Sequence, residues 1–114
     1  MADCLFCKII ARQIPATFVY EDERVVAFND INPQAATHVL VVPKRHIASL
    51  NDLQADDDQL VGELVRRGAA IARERGHAAA GFRTVFNTNR DAGQTVFHIH
   101  LHVLGGRPMA WPPG

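Results

Sequence analysis

Phe97-His98-Ile99-His100-Leu101-His102-Val103-Leu104 alternates apolar residues with histidines almost to its end. Side chains alternate faces along a β-strand. The pattern therefore predicts a strand over Phe97 to Leu104 with His98, His100 and His102 on one face. Phe97, Ile99, Leu101 and Val103 share the other face, where they bury against a helix. Three imidazoles on one strand face are hard to account for as packing, because each buried polar ring needs a partner.

The rest of the chain supplies the layers around that strand. Cys4 to Ala11 reads as a short N-terminal helix, ended before Pro15. Thr17 to Tyr20 and Val25 to Phe28 read as strands around a charged turn, and Asn32-Pro33 is a turn signal. Val39 to Val42 is a continuous apolar run of the kind found in buried strands. Asp56 to Arg75 reads as a long helix with Leu60, Val61, Leu64, Val65, Ala69 and Ala72 on its apolar face. Asp56, Asp57 and Asp58 at its start and Arg73 and Arg75 at its end suit the helix dipole, and Gly76 suits the cap. His77 follows as a solvated residue with no assigned role. Phe82 to Asn87 reads as another strand, and Thr88 to Gln94 as a polar loop. The expected fold class is α+β: an antiparallel sheet of about five strands, one long helix and one short helix, in a single domain over 1–114.

Composition narrows the function. With 12 basic and 12 acidic residues the formal net charge is zero, which argues against a nucleic-acid or membrane-surface binder. No apolar run approaches a membrane span, and the start Met-Ala-Asp-Cys lacks the form of a secretory signal. Two cysteines make no disulfide framework, so the cytoplasm is the expected location. A P-loop and a Gly-x-Ser-x-Gly elbow are both absent from the sequence.

Two chemistries suit the histidines. In one, His-x-His ligates a catalytic metal. That site favours carboxylates nearby, and no Asp or Glu occurs from Ala92 to Gly114. In the other, a histidine is the nucleophile, with neighbouring imidazoles handling phosphate and protons. Cys4-Leu5-Phe6-Cys7 has zinc-knuckle spacing; the plainer alternative is two small buried thiols. Two cysteines are half of a tetrahedral set, which two histidines would complete.

The segment His98 to Leu104 resembles the His-φ-His-φ-His-φ-φ signature of the histidine-triad (HIT) family. Phe28 to Pro33, Thr37-His38, Pro43 to His46 and Gly93-Gln94-Thr95 resemble segments of the same family, and the ending Gly105 to Gly114 resembles its Hint branch, the purine nucleoside phosphoramidases. The resemblance implies a homodimeric hydrolase that turns adenosine 5′-phosphoramidates into AMP through a nucleotidyl-histidine intermediate. It implies His100 as nucleophile, assisted by His102 and His38. Asn87, Gly93, Gln94, Thr95 and His102 would surround the phosphate. Leu5, Phe6, Ile9, Phe28, Asp30 and Ile31 would hold the nucleoside. Family members with an N-terminal Cys-x-x-Cys imply one structural zinc per chain on Cys4, Cys7, His46 and His98, with no catalytic metal. The implied partners are purine nucleoside monophosphate derivatives and a second copy of the chain, with neither nucleic acid nor membrane. Two alternatives stand beside this reading: a dinucleoside polyphosphate hydrolase, and a zinc-stabilised nucleotide-binding regulatory protein.

Overall fold

The structure, a computed structural model, describes residues 3–114; Met1 and Ala2, the first residues of the segment read above as unlike a secretory signal, lie outside the described residues. In chain order the regular elements are α1 (Leu5–Ile10), β1 (Phe18–Glu21), β2 (Val25–Asn29), β3 (Thr37–Pro43), α2 (Asp58–Glu74), β4 (Phe82–Val85), α3 (Asn89–Ala92) and β5 (Leu101–Gly105). Two 3₁₀ turns, Leu50–Asp52 and Ala55–Asp57, precede α2. The strands form one antiparallel sheet in the order β1-β2-β3-β5-β4. This is the expected α+β class. No helix among the described residues is long and apolar enough to cross a membrane.

Alternation in the central strands sorts residues between two cores. Val25, Ala27, Val39, Val41, Leu101 and Val103 face α2, where Leu60, Leu64, Ile71 and Ala72 meet them. Val26, Phe28, Leu40 and Val42 face the opposite side, where α1 covers them with Phe6 and Ile9. Because β2 and β3 are covered on both faces, they read as unbroken apolar runs. Gly68 lets α2 approach the sheet: a Cβ there would lie 3.0 Å from Leu101 and Val103 side-chain carbons.

Several boundaries differ from expectation. Helix α2 starts at Asp58, because Ala55–Asp57 forms a 3₁₀ turn whose Asp57 carboxylate accepts from the Gln54 N–H and pairs with Arg45. Its buried stripe runs through Gly68 and Ile71, while Val65 is exposed. Strand β4 ends at Val85. The polar loop contains α3, closed by Gly93 in the left-handed region at φ 81°.

The histidine strand is shorter than the alternation predicts. Pairing with β3 runs from Thr37↔Gly105 to Val41↔Leu101 and stops. Pro43 has no N–H to extend the ladder, and its carbonyl is taken by the His98 ring. Ile99 N–H instead donates to Ile47 O at 2.7 Å. His98 and His100 therefore sit in irregular backbone just ahead of β5. Phe97, expected in the core, is 50% exposed; Ile99, Leu101 and Val103 are buried as expected.

Candidate active site and metal centre

Irregular backbone divides the three histidines between two sites. His98 is fully buried, and its Nε2 lies 2.7 Å from the Pro43 carbonyl. A carbonyl only accepts, so Nε2 carries the proton and Nδ1 keeps a free lone pair. That Nδ1 lies 3.4 Å from Cys4 Sγ, 3.5 Å from Cys7 Sγ and 3.3 Å from Nδ1 of His46. His46 Nδ1 in turn is 3.4 Å from Cys7 Sγ. The four donor atoms all lie within 4.8 Å of one another.

Cys4 caps α1, its Sγ accepting from the Cys7 N–H at 3.3 Å, so one helical turn brings both sulfurs together. A tetrahedral zinc with ordinary Zn–N and Zn–S lengths has N···N edges of roughly 3.4 Å and S···N edges of roughly 3.6 Å. The observed separations match those edges, so Cys4, Cys7, His46 and His98 lie close enough to hold one metal ion and fit zinc in donor type and spacing. Burial and the adjacent Cys4 push the Cys7 thiol up to about 11. A cation between the sulfurs reverses that balance by favouring the thiolate.

His100 and His102 belong to a cavity of about 340 Å³ between α1, β2, β3 and the loop after α3. His100 Nδ1 is 2.8 Å from the His98 carbonyl and therefore donates, which leaves the Nε2 lone pair unshared. The ring stands edge-on to Phe6 at a centroid distance of 4.9 Å, and burial holds it below the ordinary imidazole value. His100 is thus a neutral ring with an available nitrogen.

His102 is backed by His38. The Gln34 N–H donates to His38 Nδ1 at 3.0 Å, which forces the proton of neutral His38 onto Nε2. His38 Nε2 then donates to His102 Nδ1 at 2.9 Å, and the remaining proton of His102 sits on Nε2. Asp30 Oδ2 lies 3.4 Å from His38 Nε2 and counters the effect of its burial. Desolvation, reinforced by His100 and His38, lowers His102 to about 4. Asp30, His38 and His102 also come close enough together to suggest a metal. The Gln34 N–H on His38 argues otherwise: Nε2 of neutral His38 is protonated and has no lone pair to offer.

Every residue expected around the nucleoside lines this cavity: Leu5, Phe6, Ile9, Phe28, Asp30 and Ile31. Asn87, Gly93 and Thr95 line it as well. Ile14, Ala16, Leu40 and Val96 add wall that the sequence reading passed over; Leu40 was legible, since it shares a strand face with His38. Gln94 is placed differently. Its side chain is buried, accepts from the Asn89 N–H at 2.8 Å and donates to the Ala48 and Val96 carbonyls at 2.8 and 3.1 Å. It ties the loop together from behind and does not line the cavity. His77, expected to be solvated, is half-buried: its Nε2 is 2.8 Å from Thr37 Oγ1 and its ring lies over Gly105. Gln34 and Pro43 act through backbone atoms, for which no residue type in the sequence gives a signal.

The five-stranded antiparallel sheet presents neutral His100 and His102, the latter backed by His38, to a cavity of about 340 Å³, an arrangement suited to histidine-based chemistry on a small ligand. The family model described as scavenger mRNA decapping enzyme C-terminal binding matches residues 3–110. The chain belongs to the histidine-triad (HIT) family and is a nucleotide hydrolase. It is 48% identical over 107 residues to the purine nucleoside phosphoramidase of Escherichia coli K12, covering 94% of this chain and 90% of that one. An uncharacterised HIT-like protein of Synechococcus elongatus is 51% identical over 112 residues, covering 98% and 97%. Among solved structures, a HIT family hydrolase from Legionella pneumophila superposes with a TM-score of 0.96 at 53% identity, covering 98% of this chain and all of that one.

Proposed function

We propose that the chain is a purine nucleoside phosphoramidase that hydrolyses adenosine 5′-phosphoramidates, of the AMP-NH₂ or AMP-lysine type, to AMP and the free amine. The observation that carries this reading is the 2.8 Å bond from His100 Nδ1–H to the His98 carbonyl, which leaves Nε2 as the nucleophilic atom. Similarity to the Escherichia coli phosphoramidase points to the same substrate class.

In this reading the base lies among Leu5, Phe6, Ile9, Phe28 and Ile31, with Asp30 accepting from the ribose hydroxyls. Asn87, Gly93, Thr95 and the Nε2–H of His102 surround the phosphate, with Gln94 holding their loop. The lone pair of His100 Nε2 bonds to phosphorus as the P–N bond to the amine breaks. The departing nitrogen takes up a proton handled by His102, which His38 steadies from behind. Water then breaks the P–Nε2 bond, giving its hydroxyl to phosphorus and its proton back to His102. Net, one water is consumed and AMP and the amine are released.

Cys4, Cys7, His46 and His98 would hold a structural zinc, which supplies cross-linking between α1 and the segment ahead of β5. The protein acts as a homodimer in the cytoplasm on a small-molecule substrate, without nucleic acid or membrane. Support for the dimer comes from β4, which among the described residues pairs with β5 alone and leaves its outer edge open, and from Trp111, 84% exposed on the tail.

Turnover of an adenosine 5′-phosphoramidate, set against a dinucleoside polyphosphate, tests the assignment. Rapid release of AMP from the first, with a mass increase of one nucleotidyl group on the intact protein, is expected. Preference for the dinucleotide would replace it with the polyphosphate hydrolase reading, and turnover of neither would favour a regulatory protein.

A further inference from the structure

The proton pattern of the His38–His102 pair depends on a backbone N–H in the loop between β2 and β3, and that loop is held from the other end of the chain. Residue Gln34 is clamped on both sides. Its N–H donates to His38 Nδ1 at 3.0 Å, and its carbonyl accepts from Arg107 Nε at 2.9 Å. Its own side chain donates to the Asn32 carbonyl at 3.0 Å. Arg107 stands in the first turn after β5 and also donates to the Pro108 carbonyl at 3.2 Å. The preceding Gly106 adopts φ 101°, and a Cβ there would lie 2.8 Å from Ala36 Cβ, so the turn sits directly on the loop. On the other side of this turn the His77 ring covers Gly105 and reaches Thr37, the residue before His38.

These contacts form a line from the tail to the site: Arg107, Gln34, His38, His102. Neutral imidazole exchanges its proton between two nitrogens, and the partner of one nitrogen decides where the proton stays. Without the Gln34 N–H on Nδ1, His38 is free to carry its proton there, and its Nε2 would then accept from His102 instead of donating to it. The His102 proton would move to Nδ1, away from the cavity.

We propose that Arg107 is a positioning residue: by holding the Gln34 carbonyl it keeps the Gln34 N–H on His38 and so fixes which nitrogen of His102 presents a proton to the substrate. The catalytic part of this proposal rests on the phosphoramidase reading; the protonation pattern does not. The tail thereby acts on the site from within its own chain, whatever else its end contacts.

The test uses the full-length protein with ¹⁵N-labelled histidine. Imidazole ¹H–¹⁵N correlation spectra report which nitrogen of His38 and of His102 bears the proton, and the same samples are assayed on an adenosine 5′-phosphoramidate. Wild type should show Nε2–H on both rings. Arg107→Met should show Nδ1–H on a measurable fraction of His38, with kcat reduced roughly fivefold, the scale of one hydrogen bond at an exposed position, and KM within about twofold. Arg107→Lys, which retains a donor, should recover part of both effects. The side chain of Arg107 is exposed, so the variant's fold is checked by its unfolding midpoint. Unchanged Nε2–H on both rings in Arg107→Met overturns the proposal, whatever the rate does. A changed proton pattern with unaltered kcat overturns the catalytic part. If no variant, wild type included, turns over the phosphoramidate, the substrate reading has failed, and the spectra still decide the role of Arg107.

Discussion

The carbonyl of His98 receives Nδ1–H of His100 at 2.8 Å, while the His98 ring points its own Nδ1 at Cys4 and Cys7. One residue thus belongs to both sites: its ring to the Cys4–Cys7–His46 cluster, its backbone to His100, the proposed nucleophile. In the proposed reaction, removing the His100 ring takes away the atom that would bond to phosphorus. His100→Ala should lower turnover of an adenosine 5′-phosphoramidate roughly a thousandfold or more and abolish the nucleotidylated species seen by intact mass. Near-normal turnover would transfer the nucleophile's role elsewhere.

Metal binding should be stoichiometric and stabilising. Elemental analysis of protein purified without chelator should give one zinc per chain. Stripping it should lower Tm by about 10 °C, the scale of a 2 kcal/mol loss in a domain of this size, and zinc should restore it. Metal-free protein with an unaltered Tm would leave the four residues as a packed cluster of thiols and imidazoles.

Stability should also fall in mild acid. His102 titrates near 4 in the folded chain and near its ordinary 6.5 once unfolded. Between those values the unfolded chain binds more protons, so this contribution is present above about 6.5, declines as pH drops toward 4 and levels off below. Urea midpoints measured from pH 7 to pH 4 should show that decline. His102→Gln should flatten part of it; an identical slope in the variant would assign the titration to other groups.

Gly105 should tolerate no side chain while His77 is present. A Cβ there would lie 2.6 Å from His77 Cδ2. Gly105→Ala should cost about 1–3 kcal/mol by urea unfolding. Adding His77→Ala should return part of that loss, although it gives up the contact with Thr37 Oγ1. Simple additivity in the double-mutant cycle would show that the clash is relieved by other means.

Deleting Met109 to Gly114 should leave folding largely intact. These residues pack little, and among the described residues their one side chain-to-backbone tie is Arg83 donating to the Ala110 carbonyl at 2.9 Å. The rate ratio between bulky-amine and small-amine phosphoramidates should change if the tail reaches a partner's site. An unaltered ratio would remove the tail from substrate selection, and a monomer in sedimentation would remove the dimer.

Sequence periodicity captured the architecture because the two central strands are buried on both faces and the long helix has one apolar stripe. It overextended the histidine strand because alternation carries no record of where a partner ladder ends; Pro43, lacking an N–H, ends it. Residue type singled out Cys4, Cys7 and the three histidines of the strand, since thiols and imidazoles announce their chemistry; the cavity wall and the choice of His100 came from the family resemblance. It was silent on Gln34 and on the Pro43 carbonyl, whose contribution is a peptide group that every residue possesses. It also misread His77, because a histidine after a helix cap looks solvated until the fold lays a glycine beneath its ring.

Gln94 and Thr95 are adjacent, yet the fold treats them in opposite ways. Gln94 spends its amide on three backbone partners, while Thr95 stands exposed at the cavity edge with its hydroxyl in no hydrogen bond among the described residues. The scaffold has thus placed a fixed position and a permissive one side by side. A lineage can exchange Thr95 and reshape the cavity edge at almost no cost to folding, whereas a change at Gln94 must first be survived as a structural lesion.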